Sequence, residues 1–187
     1  MATHPQTDQQ LIEQIHQGDE QAFATLYQRH KQWVVQLAWR FTGHEDDALD
    51  VLQETFRYVL KKSGERGGLT LTASFTTFLY PAVKNLSLAA RRKRKRFIGG
   101  ADELEMISAP SAEEGGENTL AGVLSHLGGA HREIVLMRFV DDMTLDEMAA
   151  ALGIPIGTVK SRLHHALAAL REDPRTRRYF ADEVREI

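Results

Sequence analysis

The sequence predicts an all-α protein: two small helical domains joined by a flexible linker, the second a helix-turn-helix. Three observations carry that reading. Apolar residues recur at three- and four-residue steps through most of the chain, the helical period. No stretch alternates apolar and polar residues long enough to make a strand. From Gly99 to Thr119 the periodicity lapses into acids, two Gly pairs and Pro110, the composition of a linker.

The elements follow in order. Leu11, Ile12 and Ile15 form a short apolar stripe that Gly18 stops. Asp19 is placed to cap a long helix running to about Phe41, with Phe23, Leu26, Tyr27, Val34, Leu37, Ala38 and Phe41 facing inward. After Thr42-Gly43, a third helix opens with Glu45, Asp46 and Asp47, where the helix dipole favours negative charge. Ala48, Val51, Leu52, Thr55, Phe56 and Val59 are its inner face. Ser63 to Ser74, with Gly64, Gly67 and Gly68, reads as a flexible loop. A fourth helical segment spans roughly Phe75 to Phe97, with Phe75, Phe78, Leu79, Ala82, Val83 and Leu86 on one side. Pro81 inside it predicts a kink or a restart. Beyond the linker, Leu120–Leu127, Arg132–Val140, Leu145–Leu152 and Ile156–Arg171 are helical again.

Composition bounds the function. The chain has 187 residues and a formal net charge of −3. It contains no cysteine, which excludes a disulfide scaffold, a thiol nucleophile, a zinc finger and an iron–sulfur site. No apolar run approaches the ~20 residues of a membrane span, and the polar start is unlike a signal peptide, so a cytoplasmic protein is expected. The small net charge conceals strong segregation. Gly43 to Leu60 holds five acids against Arg57, Lys84 to Ile98 holds seven bases and no acid, and Gly99 to Thr119 holds six acids and no base. Two partners of opposite sign are the simplest explanation.

The sharpest local signal lies near the C-terminal end. Thr144-Leu145-Asp146-Glu147 is a capping box. Leu145, Met148, Ala149 and Leu152 follow as an inner stripe, Gly153 ends the helix, and Ile154-Pro155 turns into the next. On that second helix Ile156, Val159, Leu163, Ala166, Leu167 and Leu170 face inward, leaving Thr158, Lys160, Ser161, Arg162 and His165 outward. An ordinary helical hairpin would share the apolar pattern. The coincidence of cap, turn, glycine and basic second helix favours a helix-turn-helix that enters the major groove of DNA. Arg162 suits a bidentate guanine contact, Thr158 and Ser161 a base or a phosphate, and Lys160 a phosphate.

Arg91 to Arg96 is six contiguous bases. A solvated helix end, a nuclear localisation signal and a nucleic-acid surface all fit, and a DNA-reading module in the same chain favours the last. Asp47, Asp50 and Glu54, with Gln53 beside them, fall on one side of the acidic helix. Dipole complementation with solubility is one account of them, and a docking face for a basic protein is the other. They have no neighbouring His, nucleophile or metal partner, so no enzyme activity is expected. His164-His165 are adjacent, and His126 and His131 are five apart, so neither makes a metal pair. No cofactor is expected.

Asp19-Glu20-Gln21-Ala22-Phe23 through Leu26-Tyr27, Asp46 to Phe56, and Phe78-Leu79 with Asn85 and the Arg91–Arg96 run together resemble the second conserved domain of bacterial sigma factors. Leu124 to Leu127, His131 to Val135, and Gly157-Thr158-Val159-Lys160-Ser161-Arg162-Leu163 resemble the fourth. Two such domains and a short linker are similar to the extracytoplasmic-function group. The family usually has Trp-Leu where this chain has Phe78-Leu79, and Pro81 is rare at its position.

The resemblance implies a domain over 8–98, an acidic linker over 99–119, a helix-turn-helix domain over 120–172 and a tail over 173–187. It implies that Asp47, Asp50, Gln53 and Glu54 dock on RNA polymerase core. Lys61 to Ser74 would capture a base of the minus-ten element, and Asn85, Arg91, Arg92, Arg94 and Arg96 would hold the DNA there. Thr158, Lys160, Ser161, Arg162 and His165 would read the minus-thirty-five element. RNA polymerase core and promoter DNA are thus the implied partners, with an anti-sigma factor as restraint. The competing reading is a stand-alone helix-turn-helix regulator, which leaves the acidic helix without a role.

Overall fold

In a computed structural model the described residues are 6–98, 124 and 126–177. The linker 99–119, the first residues of the expected Leu120–Leu127 helix and the tail beyond Arg177 lie outside them. Seven helices make up the described residues: α1 (Asp8–His16), α2 (Glu20–Thr42), α3 (Glu45–Gly64), α4 (Phe75–Ile98), α5 (Gly129–Phe139), α6 (Leu145–Leu152) and α7 (Ile156–Glu172). The chain divides into two compact units, residues 1–100 and 101–187.

In the first unit the helices start and stop where local chemistry directs. The Asp19 carboxylate accepts from the backbone N–H of Gln21 at 2.8 Å and of Ala22 at 3.1 Å, which caps α2. Gly43 ends the helix in the left-handed region at φ 69°, a conformation that strains residues bearing a Cβ. Helix α2 packs against both α3 and α4, and α3 packs on α4. The stripe predicted for α3 is the buried one: Ala48, Thr55 and Val59 have no exposed surface, and Val51, Leu52 and Phe56 almost none. Phe23, Tyr27 and Phe56 meet as an aromatic cluster, the Tyr27 and Phe56 ring centroids 4.8 Å apart, although Phe23 and Tyr27 are only half-buried.

The chain departs from its sequence pattern at three places here. Ser63 and Gly64 belong to α3 rather than to a loop, and Ser63 is buried. Helix α1 holds this region at two points: the backbone N–H of Leu71, in the loop that follows, donates to Gln9 Oε1 at 2.9 Å, and His16 Nδ1 donates to the carbonyl of Ser63 in the last turn of α3 at 2.6 Å. Both partners come from about fifty or more residues away, so local sequence gives no sign of them. Helix α4 runs unbroken through Pro81, with no restart. Pro81 is exposed, and its missing N–H takes the usual helical donor from the Thr77 carbonyl. The buried face of α4 is Phe75, Thr77, Leu79, Tyr80, Val83 and Ser87, so Phe78, Ala82 and Leu86 stand at its edge, half-exposed.

In the second unit α6 opens with the predicted capping box, Glu147 N–H donating to Thr144 Oγ1 at 3.2 Å and Thr144 N–H to Glu147 Oε2 at 2.9 Å. It closes on Gly153 at φ 63°, with Ile154 N–H donating to the Ala149 carbonyl and Gly153 N–H to that of Ala150. That pair of bonds is a Schellman turn, and it sets the angle between α6 and α7. Met148 and Ala151 are the buried residues of α6, with Leu145, Ala149 and Leu152 half-buried. On α7 the stripe Val159, Leu163, Ala166, Leu167 and Leu170 is buried as predicted, but Ile156 is 40% exposed. It sits in the first turn, short of the packed part of the helix. Buried Arg132 on α5 donates from Nε to the Leu124 carbonyl at 2.7 Å and from Nη2 to the Leu127 carbonyl at 3.1 Å, tying the preceding chain to the unit.

Two outcomes follow from these local features. Gly153→Ala forces a Cβ into the left-handed region and lowers the unfolding free energy of the second unit by about 1–2 kcal/mol in denaturant titration. His30, against the Phe75 ring and 2.9 Å from Asp8, has its pKa held below the ordinary 6.5 chiefly by burial; Asp8 opposes that shift, and the nearby Arg29 charge adds to it. A depressed histidine pKa means that the unfolded chain takes up the proton first. Stability is therefore complete above about pH 6.5 and declines below it. Thermal midpoints measured on either side of pH 6.5 should show that loss in the wild type and less of it in His30→Gln.

Candidate nucleic-acid interface

The first unit carries opposite charges on adjoining helices. Along α3 the inner stripe leaves Asp50, Gln53 and Glu54 exposed, with Leu49 beside them at 42% exposure. Glu54 pairs with Arg57 one turn on. Asp47 differs from its neighbours: its side chain is 18% exposed and its Oδ2 accepts from Arg94 Nε at 2.6 Å. The pair joins a member of the acidic face to a member of the basic run, and the Arg94 pKa is raised chiefly by that hydrogen bond.

Of the six bases on the last turns of α4, Arg92, Lys93 and Arg96 are exposed and Arg91, Arg94 and Lys95 half-exposed. Arg92 also donates from Nε to the Leu88 carbonyl at 3.2 Å. Phe97, next to the run, is 90% exposed. Asn85 is exposed two turns earlier and lines a groove of about 530 Å³ between α3 and α4. Arg57, Tyr58, Lys61, Phe78 and Pro81 line it too. The Tyr58 and Phe78 rings stack at 5.8 Å with planes 14° apart, and Phe75 continues the stack at 6.1 Å from Phe78. A flat aromatic surface with cations at its rim and an amide beside it can accept unstacked bases and their phosphates. Tyr58 and Arg57 are absent from the residues singled out in the sequence. Tyr58 lies one turn beyond Glu54 and off the apolar stripe, and only its partner Phe78, twenty residues on, makes it part of a platform.

In the second unit Lys160, Ser161 and His165 are exposed on the outer side of α7, and Thr158 and Arg162 half-exposed. Proline at the N-cap leaves the first turn of α7 without a side-chain cap; the Thr158 N–H turns back to the Pro155 carbonyl at 2.8 Å, and the N–H groups of Ile156 and Gly157 ahead of it have no carbonyl of the helix to bond. Basic side chains and an open helix N-terminus are what a phosphate backbone contacts. His165 lies beside two further imidazoles, its ring centroid 6.3 Å from His131 and 5.8 Å from His164. Where α7 ends, Arg175 grips the Asp173 carboxylate through Nη2 at 2.6 Å and Nε at 2.9 Å, pulling its pKa down to about 2. Among the described residues no three His, Cys, Asp or Glu side chains are grouped to hold a metal ion, and no helix is long and apolar enough to cross a membrane.

These features define a two-unit helical protein with an acidic face and a groove on one unit and a helix-turn-helix on the other. Residues 26–97 match the family Sigma-70 region 2, and residues 123–172 match Sigma-70, region 4. The RNA polymerase sigma factor NccH of Alcaligenes xylosoxydans xylosoxydans is 31% identical, over 90% of this chain and 95% of its own. The ECF RNA polymerase sigma factor SigW of Bacillus subtilis is 29% identical over 88% of this chain and 95% of its own. Two solved structures share the fold. CnrH in complex with the cytosolic domain of CnrY has a TM-score of 0.63 at 23% identity, covering 94% of this chain and 98% of that one. The sigma factor RpoE in complex with the anti-sigma factor NepR from Bartonella quintana has a TM-score of 0.59 at 21% identity, covering 80% and 94%. The chain belongs to the sigma-70 family, in its extracytoplasmic-function group: it is an alternative sigma factor that directs transcription initiation. A stand-alone regulator is not the reading these matches favour.

Proposed function

We propose that the outer face of α3 docks on RNA polymerase core through Asp50, Gln53 and Glu54, with Asp47 at its edge and Leu49 as an apolar anchor among the charges. Protein interfaces of this kind have an apolar centre and a polar rim, which Leu49 and its neighbours provide. The observation that carries the reading is the fixed opposition of signs within one folded unit: an exposed acidic stripe on α3 and a basic end on α4. A DNA-binding surface alone gives no use to the acids, since phosphate repels them. A basic protein partner does.

The groove between α3 and α4 takes the melted minus-ten strand. Tyr58 and Phe78 stack against bases, Asn85 and Lys61 contact base edges or backbone, and Arg91, Arg92, Arg94 and Arg96 hold phosphates upstream. Extracting a base from the duplex costs a few kcal/mol, and stacking on an aromatic face returns about 1–3 kcal/mol per base. Phe78 can supply that face although the family usually has Trp nearby. In the second unit α7 lies in the major groove at the minus-thirty-five element, with Thr158, Ser161, Arg162 and His165 toward bases and Lys160 toward phosphate. The functional domains are 8–98 and 120–172, connected by the acidic segment 99–119, with 173–187 as an appendix of no assigned role. The chain acts in the cytoplasm and catalyses nothing itself. The solved relatives were captured with protein partners, CnrY and NepR, and a partner of that kind restrains this chain by covering the same faces.

Two substitutions test the separate surfaces. The double variant Asp50→Ala/Gln53→Ala loses affinity for polymerase core by about tenfold or more, as befits two central contacts, with circular dichroism and melting temperature unchanged. Unchanged affinity removes α3 from the docking face. Tyr58→Leu keeps bulk in the half-buried position but not the aromatic plane. In the reconstituted holoenzyme it weakens capture of a single-stranded minus-ten oligonucleotide about tenfold, and leaves duplex minus-thirty-five binding as it was.

A further inference from the structure

The Asp47–Arg94 pair joins the two surfaces just assigned. Asp47 stands in the first turn of α3 on its acidic side, and Arg94 stands in the basic run of α4, 47 residues later. Their 2.6 Å contact sits over a cleft of about 550 Å³ floored by Val51, Leu86 and Ala90, with Lys93 on the same wall as Arg94. Neither side chain is sealed from water, Arg94 being 33% and Asp47 18% exposed, so each can change partners without opening the core. The contact is one charge-assisted bond from Arg94 Nε to Asp47 Oδ2, and a phosphate oxygen is the same kind of anionic acceptor for that donor. Asp47 therefore occupies Arg94 as a DNA phosphate would, and Arg94 occupies Asp47 as a basic polymerase surface would.

We propose that the Asp47–Arg94 ion pair is an exchangeable internal competitor that couples the docking face to the DNA face. This rests on the placement of polymerase on α3 and DNA on α4. In the free chain Asp47 withholds Arg94 from DNA and Arg94 withholds Asp47 from polymerase. Docking of a basic surface on α3 draws Asp47 away and releases Arg94 to a phosphate. By linkage the reverse holds equally: DNA on α4 strengthens polymerase docking by the same factor. An ion pair this exposed is weak, so the coupling amounts to about two- to fivefold in affinity. That suits a modulator that makes the free chain a poorer DNA binder than the holoenzyme without barring binding outright.

The test measures binding of the free full-length chain to a short DNA duplex by fluorescence anisotropy across a series of salt concentrations. Asp47→Asn tightens binding about two- to fivefold at low salt, and the logarithmic salt dependence steepens by about 0.9 as one more phosphate contact forms. Glu45→Gln removes the same charge from the same helical turn without touching Arg94, and it controls for diminished repulsion. In an Arg94→Gln background the extra effect of Asp47→Asn disappears, leaving only what Glu45→Gln also gives. The proposal is overturned if Asp47→Asn and Glu45→Gln act alike, or if the Asp47→Asn effect survives in Arg94→Gln. Arg96→Gln separates the two levels of the argument. If it leaves DNA affinity unchanged, the placement of DNA on α4 fails and the coupling with it. If it weakens binding while Asp47→Asn matches Glu45→Gln, the placement stands and the coupling alone fails.

Discussion

Helix α3 has to satisfy two environments at once, and the first unit is organised by that constraint. Its inner stripe from Ala48 to Val59 is sealed between α2 and α4, so the helix cannot rotate about its axis without exposing Phe56 and Val59 to water. Burying an aromatic or branched side chain contributes about 1.5–3 kcal/mol each, and several residues share this stripe. The orientation that buries them leaves Leu49, Asp50, Gln53 and Glu54 outward, and Tyr58 where Phe78 can stack on it. The outward acidic face, which we propose as the docking face, and the aromatic groove are both consequences of one packed stripe. The acids add little to folding beyond the helix dipole, so they are available to bind.

The second unit solves a smaller problem in the same way. A recognition helix is useful only if its outer side chains are presented at a fixed angle. Two backbone hydrogen bonds of the Gly153 turn and the reciprocal Thr144–Glu147 cap fix the entry and exit of α6. The buried Val159 to Leu170 stripe then sets the roll of α7. Thr158, Lys160, Ser161, Arg162 and His165 face outward because their neighbours at helical spacing face in.

Much of this was legible in the sequence because it is local. The Asp19 cap, the Thr144 capping box, the Gly153 stop and the α3 stripe each depend on residues within a few positions, and each is found where the pattern put it. The misreadings share a different cause. The loop after α3 reads as free, yet Gln9 of α1 pins it at Leu71, and His16 of α1 holds the end of α3 at Ser63. The buried face of α4, where it packs against α2 and α3, is turned toward Tyr80 and Ser87, leaving Ala82 and Leu86 at its edge. Ile156 counted as inward by its period, but it stands in the first turn, short of the packed part of α7. Asp47 and Arg94 were assigned to separate partners, and only the fold brings them to each other. A one-dimensional pattern reports which faces exist, whereas the contacts between faces depend on residues tens of positions apart.

The central claim is that α3 presents a polymerase-docking face on a folded scaffold. Its most direct test is gel filtration of the purified full-length chain with RNA polymerase core at modest salt. Co-elution of the two as one complex is the predicted result. Separate elution of a folded chain from a core that binds a known sigma factor would contradict the account.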